Sequence, residues 1–379
     1  MSDSPQTIGI VGGGLGGTLA ALTVANEGHT PLWFRPTSPG LTGVWTGIGR
    51  AFGPEAPLPP SSAGAVESRM PYRPEIRRRR ADRWASLLER RGQLHPYCRL
   101  GVGRGGVDEH LEGALETLPD GLLKRCEDGA VYPGPHGQPA TPDLLFPSLD
   151  ALDLRAGQRI VFIDAPGLSG WSPEDLTGQI GRADGLEADV GRLSSFSELP
   201  PGHGVRVARA FQEAWEADAD MFIEQLRQAA QEHAADLLVL PPVIGATLDD
   251  HRSIWQRLGR ALDLPVTEFP IARDPVFGWR LDRALRAAAD SDVVRPPCRR
   301  VHREDRRIVG VEDAEEALHE VDAIIVATGR WVDGGRPKED SLVEPLTGAP
   351  LWLDGAPVSD EPELYPPDFL GRLPWSDHE

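Results

Sequence analysis

The stretch from Thr7 to His29, TIGIVGGGLGGTLAALTVANEGH, decides the fold of the first part of the chain. Its apolar run IGIV predicts a buried strand, and GTLAALTVANEG predicts an amphipathic helix that ends at a glycine. Between these elements, Gly12, Gly14 and Gly17 match the spacing G-x-G-x-x-G. The first glycine makes a tight turn, the second lets a phosphate approach the backbone, and the third lets the helix pack close to the strand.

This glycine turn has two interpretations. A helix N-terminus offers free N–H groups and the positive end of a dipole, so the turn suits the phosphate of a nucleotide or flavin. The alternative is a turn that only packs a helix on a sheet, and the position between a strand and a helix favours the cofactor. The predicted binding residues are Gly12, Gly13, Gly14, Leu15, Gly16 and Gly17.

The next predicted strand, PLWF, is followed by Arg35, where nucleotide-binding domains commonly carry an acidic residue for the ribose. Three interpretations of Arg35 follow from the residues alone. It contacts a 2′-phosphate, as in an NADP site; or no adenosine ribose is bound, as with FMN; or the arginine is solvated.

The composition excludes several classes of protein. The net charge of −19 repels phosphate backbones, so we expect no nucleic-acid partner. Three widely spaced cysteines without a C-x-x-C pair disfavour a disulfide framework, an iron–sulfur site and a structural zinc site. No apolar run is long enough to span a bilayer, so we expect no direct membrane insertion. A length of 379 residues favours two domains.

Later in the chain, strand-like and helix-like segments alternate, which predicts a second parallel sheet covered by helices. We assign 51–150 to a loop-rich connection, 151–297 to an inserted α/β domain and 346–379 to a proline-rich tail. The clearest predicted helices are 214–234, 253–264 and 278–292, and the clearest strands are 160–164 and 236–245.

The segment VDAIIVATG (321–329) predicts a strand that ends in Ala-Thr-Gly. Small residues there permit close backbone approach to a cofactor, as in flavoproteins with two dinucleotide-binding domains; the alternative is an ordinary buried strand. The predicted contacts are Ala327, Thr328 and Gly329. The fold expected is therefore α/β, with a discontinuous Rossmann-like flavin-binding domain (1–50 and 298–345) interrupted by the inserted domain.

Seven blocks make the chain resemble the B-type flavoprotein subunit of the anaerobic glycerol-3-phosphate dehydrogenase. The order and spacing of the blocks agree with that family better than any single block does. They are GIVGGGLGGTLAAL (9–22), LTGVWTGIG (41–49), LHPYCRL (94–100), IVFIDAPGLSGWSPEDL (160–176), DLLVLPPVIGATLDDHRSIWQRLGRALDLPVTEFP (236–270), DPVFGWRLDRAL (274–285) and VDAIIVATGRWVDGG (321–335).

The resemblance implies a flavoprotein subunit that pairs with a larger, catalytic FAD-bearing subunit and oxidises sn-glycerol 3-phosphate to dihydroxyacetone phosphate. An iron–sulfur subunit would hold the pair at the cytoplasmic face of the inner membrane and pass electrons to quinone. The family also lacks the ribose acid and has a basic residue near Arg35, which favours FMN over NADP, with FAD as second choice. Thr42 and Gly43 would then lie beside the flavin.

The chain departs from the family after VATG, because the second glycine-rich flavin segment is missing. We therefore expect a partner to complete the cofactor site. Two alternatives stay open at this point. One is a flavin-free structural partner of the FAD-bearing subunit, and the other is a self-sufficient FAD or NADP oxidoreductase with another substrate.

A flavin dehydrogenase needs a base near the carbinol proton and cations for a substrate phosphate. His95 in LHPY is the candidate base, although a histidine that only packs a turn fits the same pattern. The other candidates are Tyr97, Arg206, Arg209 and Arg280. Arg280 also fits an arginine lying along a helix surface, and the run 77–80 fits a solvated helix start.

Overall fold

The computed structural model describes the chain in several ranges. They are 4–35, 104–134, 139–140, 142–181, 185–271, 276–288, 291–305 and 307–327, with short strands at 336–338, 341–343, 352–353 and 356–357. The described residues form two compact units, one from 4–35 with the residues after 285, and one from 104–285.

Seven α-helices and nineteen strands lie in the described ranges. The helices are α1 Leu15–Asn26, α2 Arg104–Thr117, α3 Pro173–Ile180, α4 Ser194–Ser197, α5 Gly204–Glu232, α6 Leu248–Leu262 and α7 Val276–Ala288, with 3-10 turns at Pro147–Leu152 and Ser291–Val293. The longer strands are β1 Thr7–Val11, β2 Thr30–Phe34, β7 Arg159–Ile163, β8 Glu187–Gly191, β9 Leu237–Leu240, β10 Val266–Glu268, β12 Cys298–Glu304, β13 Arg307–Asp313, β14 Leu318–Glu320 and β15 Ala323–Val326. The short ones are β3 Lys124–Arg125, β4 Tyr132–Pro133, β5 Pro139–Ala140, β6 Leu144–Leu145, β11 Val294–Arg295, β16 Arg336–Lys338, β17 Ser341–Val343, β18 Trp352–Leu353 and β19 Ala356–Pro357.

The first unit is built on a four-stranded parallel sheet in the order β11-β2-β1-β15. On one face, Ile10 and Trp33 pack against α1. On the other face, Val11 and Phe34 pack against Val311 and Val321. Because alternate residues of a strand point to opposite faces, the run IGIV supplies both cores.

The second face of this sheet is covered by a three-stranded antiparallel sheet, β12-β13-β14. The β13–β14 turn is held by Asp313, whose Oδ1 accepts hydrogen bonds from the N–H groups of Glu315 (2.9 Å) and Ala317 (3.0 Å). Its Oδ2 lies 2.8 Å from Nε2 of His319. The hydrogen bond to His319, together with these backbone N–H groups, lowers the pKa of the Asp313 carboxyl.

The second unit contains another four-stranded parallel sheet, in the order β10-β9-β7-β8. Strand β9 is buried at all four positions, as expected for the centre of a parallel sheet. Helix α5 contributes an aromatic cluster to this core, in which the ring centroids of Phe211 and Phe222 lie 5.1 Å apart. The helix is kinked at Asp218, whose φ of −155° and ψ of 76° are not helical. The Asp218 carboxylate accepts the Met221 N–H at 3.0 Å and so caps the second half.

The predicted α/β class, with parallel sheets and helices, is confirmed by the two sheets. Several details differ from the sequence prediction. Helix α5 begins at Gly204 rather than at 214, and α2 falls in a region where no helix was expected. Strand β15 is exposed along most of its length, so its interpretation as an ordinary buried strand is wrong.

None of the described helices is both long enough and apolar enough to cross a membrane.

Candidate functional site

The glycine turn lies at the carboxyl end of β1 and leads into α1. Gly12 has a φ of +141°, which side-chain-bearing residues rarely adopt. Its N–H donates to the Phe34 carbonyl at 3.0 Å, and its carbonyl accepts the indole N–H of Trp33 at 2.7 Å. Both the N–H and the carbonyl of Gly12 are therefore hydrogen-bonded to residues of β2.

Gly17 holds the helix against this turn. A Cβ at Gly17 would lie 2.1 Å from the Gly12 carbonyl oxygen and 3.3 Å from the Trp33 indole nitrogen. Real Cβ atoms essentially never come within 3.0 Å of another heavy atom, so only glycine fits here. The close packing of helix on strand expected for the third glycine is present.

Gly14 has a different environment. It is the N-cap of α1, with an ordinary extended backbone (φ −85°, ψ −173°), and a Cβ there would meet no atom within 4 Å. No described side chain caps the helix, and its first turn has no acidic residue. The Gly14 carbonyl accepts the Thr18 hydroxyl at 3.1 Å. The start of α1 thus combines open space with N–H groups that no side chain covers.

Ala327 lies beside this turn. Strand β15 runs parallel to β1, and the Ala327 N–H donates to the Val11 carbonyl at 2.7 Å. Ile325 and Val326, just before it, are exposed to 38% and 37%. The structure therefore brings Ala327 next to Val11, the residue that precedes the glycine turn.

Arg35 is almost completely buried, with 2% of its surface exposed. Its guanidinium carbon lies 4.4 Å from the centroid of the Trp33 ring, and its backbone N–H donates to the Arg295 carbonyl at 3.2 Å. The solvated interpretation of Arg35 is therefore wrong. The side chain packs against the Trp33 indole, which also donates the hydrogen bond to the Gly12 carbonyl.

The described residues gather the glycine turn, Arg35 and Ala327 at one edge of the first sheet. The remaining predicted site residues lie outside the described ranges. These are Thr42, Gly43, His95, Tyr97, Thr328 and Gly329, together with the arginine run 77–80.

Arg280, a candidate phosphate ligand, is instead a buried structural residue of the second unit. Its guanidinium forms a bidentate pair with Glu268, Nη1 to Oε2 at 2.6 Å and Nη2 to Oε1 at 2.9 Å. Nε donates to the Gly245 carbonyl and Nη2 to the Ile244 carbonyl, at 3.0 and 2.8 Å. Both Arg280 and Glu268 are fully buried, so the alternative of an arginine lying along the helix surface is wrong.

This pair fixes the loop after β9 to the end of β10. Glu268 also accepts the Ile244 N–H at 2.9 Å, and His251 Nε2 lies 3.1 Å from its Oε2. Burial alone would raise the pKa of Glu268, but the Arg280 guanidinium and His251 lower it to about 2. Burial and the Arg280 charge lower the pKa of His251, which favours the neutral imidazole. Sequence reasoning missed Glu268, which lies inside an apolar strand and whose partner is twelve residues away.

Arg206 and Arg209 are exposed on the first turns of α5, in the second unit. Within the described ranges, no group of three or more His, Cys, Asp or Glu side chains is arranged to bind a metal ion.

Comparison with protein-family models gives no match, and comparison with curated proteins gives none either. Among solved structures, the chain aligns with HlmI at 14% identity, over 92% of this chain and 84% of that one. The TM-score of 0.13 is too low to indicate a common fold.

Proposed function

We propose that this chain is a flavoprotein oxidoreductase subunit that holds its cofactor on the glycine turn Gly12–Gly17. The reaction we propose is the oxidation of sn-glycerol 3-phosphate to dihydroxyacetone phosphate, with electrons passed to quinone. The cofactor proposal is supported by the geometry of the turn. The choice of reaction is supported by the resemblance to the B-type flavoprotein subunit of the anaerobic glycerol-3-phosphate dehydrogenase.

The observation that carries the cofactor proposal is the uncapped start of α1 beside open space at Gly14. Strand order adds to it. If the four strands of the first sheet are numbered in chain order, their order across the sheet is 3-2-1-4. This is the strand order at the start of a Rossmann-like domain. In such sheets, ligands bind beyond the carboxyl ends of the strands where the order reverses. That point lies between β1 and β15, at Gly12 and Ala327.

The burial of Arg35 supports a flavin over NADP. A guanidinium that contacts a 2′-phosphate has to reach the ligand, whereas this one lies against Trp33 with 2% of the residue exposed. Arg35 is better explained as part of the sheet than as a phosphate ligand. FMN, which lacks the adenosine ribose, is our first choice and FAD our second.

The residues of this chain would act mainly by binding and positioning. Backbone N–H groups at the start of α1 would hold the cofactor phosphate, and Gly14 leaves room for it. Ala327 would place the small-residue end of β15 beside the cofactor. When bound, the flavin supplies the acceptor of a hydride or of two electrons. A catalytic FAD-bearing subunit and a membrane-anchoring iron–sulfur subunit are the proposed partners.

The first experiment is an absorbance spectrum of the purified chain, followed by chromatography of any cofactor released on denaturation. We expect a flavin spectrum and FMN; FAD would move the proposal towards a self-sufficient oxidoreductase. A colourless protein that stays colourless with added FMN or FAD would refute cofactor binding by the chain alone. Repeating the titration with the FAD-bearing partner present would then distinguish a completed site from a flavin-free structural partner.

A pair of variants tests the site itself. Gly14→Val should lose flavin while the circular dichroism spectrum stays unchanged, because the side chain would fill the space left for the phosphate. Gly178→Val is the matched control, since a Cβ at Gly178 also meets no atom within 4 Å but lies in α3 of the second unit. Equal flavin content in wild type and Gly14→Val would rule out the assigned turn.

The reaction is tested separately, with the proposed subunits co-expressed. We expect the purified complex to reduce a quinone analogue in a manner that depends on sn-glycerol 3-phosphate. A chain that binds flavin but neither associates with the FAD-bearing partner nor supports this activity would retain the cofactor proposal and overturn the reaction.

A further inference from the structure

The second unit carries a basic pocket at the carboxyl edge of its parallel sheet. Strand β8 is joined to β9 through α5, and β7 lies between these two strands, so the connection crosses the point where the strand order reverses. A helix that follows a parallel strand begins at the carboxyl edge of the sheet. In open α/β sheets this edge, at the reversal of strand order, is where ligands bind.

The start of α5 is held at this edge by backbone pairing. The Gly202 N–H donates to the Gly167 carbonyl, and the Ser169 N–H donates to the Gly202 carbonyl, both at 2.9 Å. Gly167 and Ser169 belong to the loop that follows β7. The loop before α5 is therefore attached to the loop after the central strand, and His203 follows directly as the N-cap of α5.

A cavity of about 550 Å³ opens beside this helix start. Its volume falls within the range of about 300–1,000 Å³ typical of sites for small molecules. Three of the side chains that line it are basic: His203, Arg206 and Arg209. Arg206 and Arg209 are three residues apart on α5, so their side chains lie on the same face of the helix. Glu213 is the acidic residue in the wall.

The charge of this pocket contrasts with the rest of the chain. The protein has 58 acidic and 39 lysine and arginine residues, and arginines elsewhere, such as Arg125, Arg159 and Arg192, pair with carboxylates. Among the residues that the structure describes, neither Arg206 nor Arg209 forms an ion pair, with Glu213 or with any other carboxylate. The two guanidinium groups are therefore available to a ligand.

Trp279 positions one of these arginines. The guanidinium carbon of Arg209 lies 5.9 Å from the Trp279 ring centroid, and that of Arg283 lies 5.4 Å from it. Both distances are within the range of a cation–π contact. Trp279 thus carries a guanidinium from α5 and one from α7, the helix that follows the last strand of the same sheet.

We propose that this pocket binds the phosphate group of a small phosphate monoester through Arg206, Arg209 and His203. Guanidinium groups bind phosphate oxygens in pairs of parallel hydrogen bonds, and a dianion gains from several cations at once. The site is independent of the glycine turn and of the proposed flavin. A phosphate group can belong to a soluble metabolite or to a lipid headgroup, and the cavity at the sheet edge fits the soluble form.

The test is isothermal titration of the full-length chain with inorganic phosphate at constant ionic strength, with chloride as the competing anion. We expect saturable binding, weakened by about tenfold or more in Arg206→Gln and in Arg209→Gln, because each variant loses a charge-assisted hydrogen bond. Arg260→Gln, an exposed arginine on α6, makes the same change in net charge and should bind phosphate as wild type does. Circular dichroism melts confirm that each variant is folded.

The outcomes separate the alternatives. Absence of saturable binding, or equal loss in the Arg260→Gln control, would overturn the proposal, since the effect would be one of overall charge. Vesicles that contain phosphatidic acid form the second arm. If the chain binds these vesicles but not inorganic phosphate, the basic surface binds a membrane, and the proposal of a pocket for a soluble phosphate monoester is refuted. Flavin content is not expected to change in any of these variants, so failure here leaves the cofactor proposal untouched.

Discussion

Replacing Gly17 with alanine should loosen the first unit far more than the same change at Gly14. At Gly17 the new Cβ would lie 2.1 Å from the Gly12 carbonyl oxygen, about 0.9 Å inside the 3.0 Å limit seen for real Cβ contacts. Either α1 moves away from β1 by about that distance, or the Gly12 carbonyl moves and loses the 2.7 Å hydrogen bond from Trp33. At Gly14 the Cβ meets nothing within 4 Å.

The magnitude can be worked from these contacts. Overpacking costs about 1–3 kcal/mol, and leaving the buried indole N–H unpaired costs about 1–3 kcal/mol more. Alanine regains about 1 kcal/mol of helix propensity over glycine. The net loss for Gly17→Ala is therefore about 1–5 kcal/mol. Gly14→Ala should cost about 0.5–1 kcal/mol, because alanine is a poorer N-cap than glycine.

Hydrogen–deuterium exchange resolved by peptide is the suitable assay, since it reports each unit separately. A loss of about 1–5 kcal/mol raises exchange of β1 and β2 amides by roughly 5-fold to several thousand-fold when opening and reclosing are fast relative to exchange. Peptides from β9, in the second unit, provide the internal reference. Similar exchange of β1 in the two variants would refute the role assigned to Gly17 in holding α1 on the sheet.

Three further predictions concern the second unit. Arg280→Met should lower the free energy of unfolding by about 3–5 kcal/mol, because it leaves the Glu268 carboxylate buried without its cation; urea denaturation should show this loss, and a double variant with Glu268→Leu should recover part of it. His251 has a lowered pKa when folded, so the unfolded state takes up its proton first and stability should fall as the pH drops below 6.5. The slope should approach about 1.4 kcal/mol per pH unit at most, and His251→Phe should flatten it; an unchanged slope would contradict the burial of a neutral imidazole. Gly259→Ala, in α6 with open space around the new Cβ, should raise the melting temperature, consistent with a gain of up to about 1 kcal/mol.

The sequence was sufficient for elements whose structure depends on local pattern. The apolar run of β1, the glycines at 12 and 17 and the apolar stretch of β9 each predict their element directly. Two elements were missed for identifiable reasons. Helix α2 starts with Arg-Gly-Gly and has few apolar residues, so its pattern is weak. Strand β8, EADVG, lies at an edge of its sheet, where exposed acidic residues interrupt the usual apolar run.

The environments of charged residues could not be deduced from the sequence. In the sequence, Arg280 lies in a predicted helix and Arg35 follows a predicted strand. Neither position indicates burial, yet both side chains are buried. The burial of Arg280 depends on Glu268, which only the packing of α7 against the end of β10 brings within hydrogen-bonding distance. The burial of Arg35 depends on its position beside Trp33 and β11. Strand β15 shows the reverse case, since an apolar segment is left exposed at a sheet edge.

The parallel sheet of the first unit also has a consequence for synthesis of the chain. Strands β1 and β2 end by residue 34, whereas β11, which pairs with β2, begins at residue 294. At about 5–20 residues per second, the ribosome needs roughly 10–50 s to reach the missing strands. During that interval, the apolar faces of Trp33 and Phe34 lack their final neighbours while the whole second unit emerges. The first sheet can therefore be completed only after the residues of the second unit have been synthesised. Until then, the apolar side chains of β1 and β2 have to be kept from contacts with other chains.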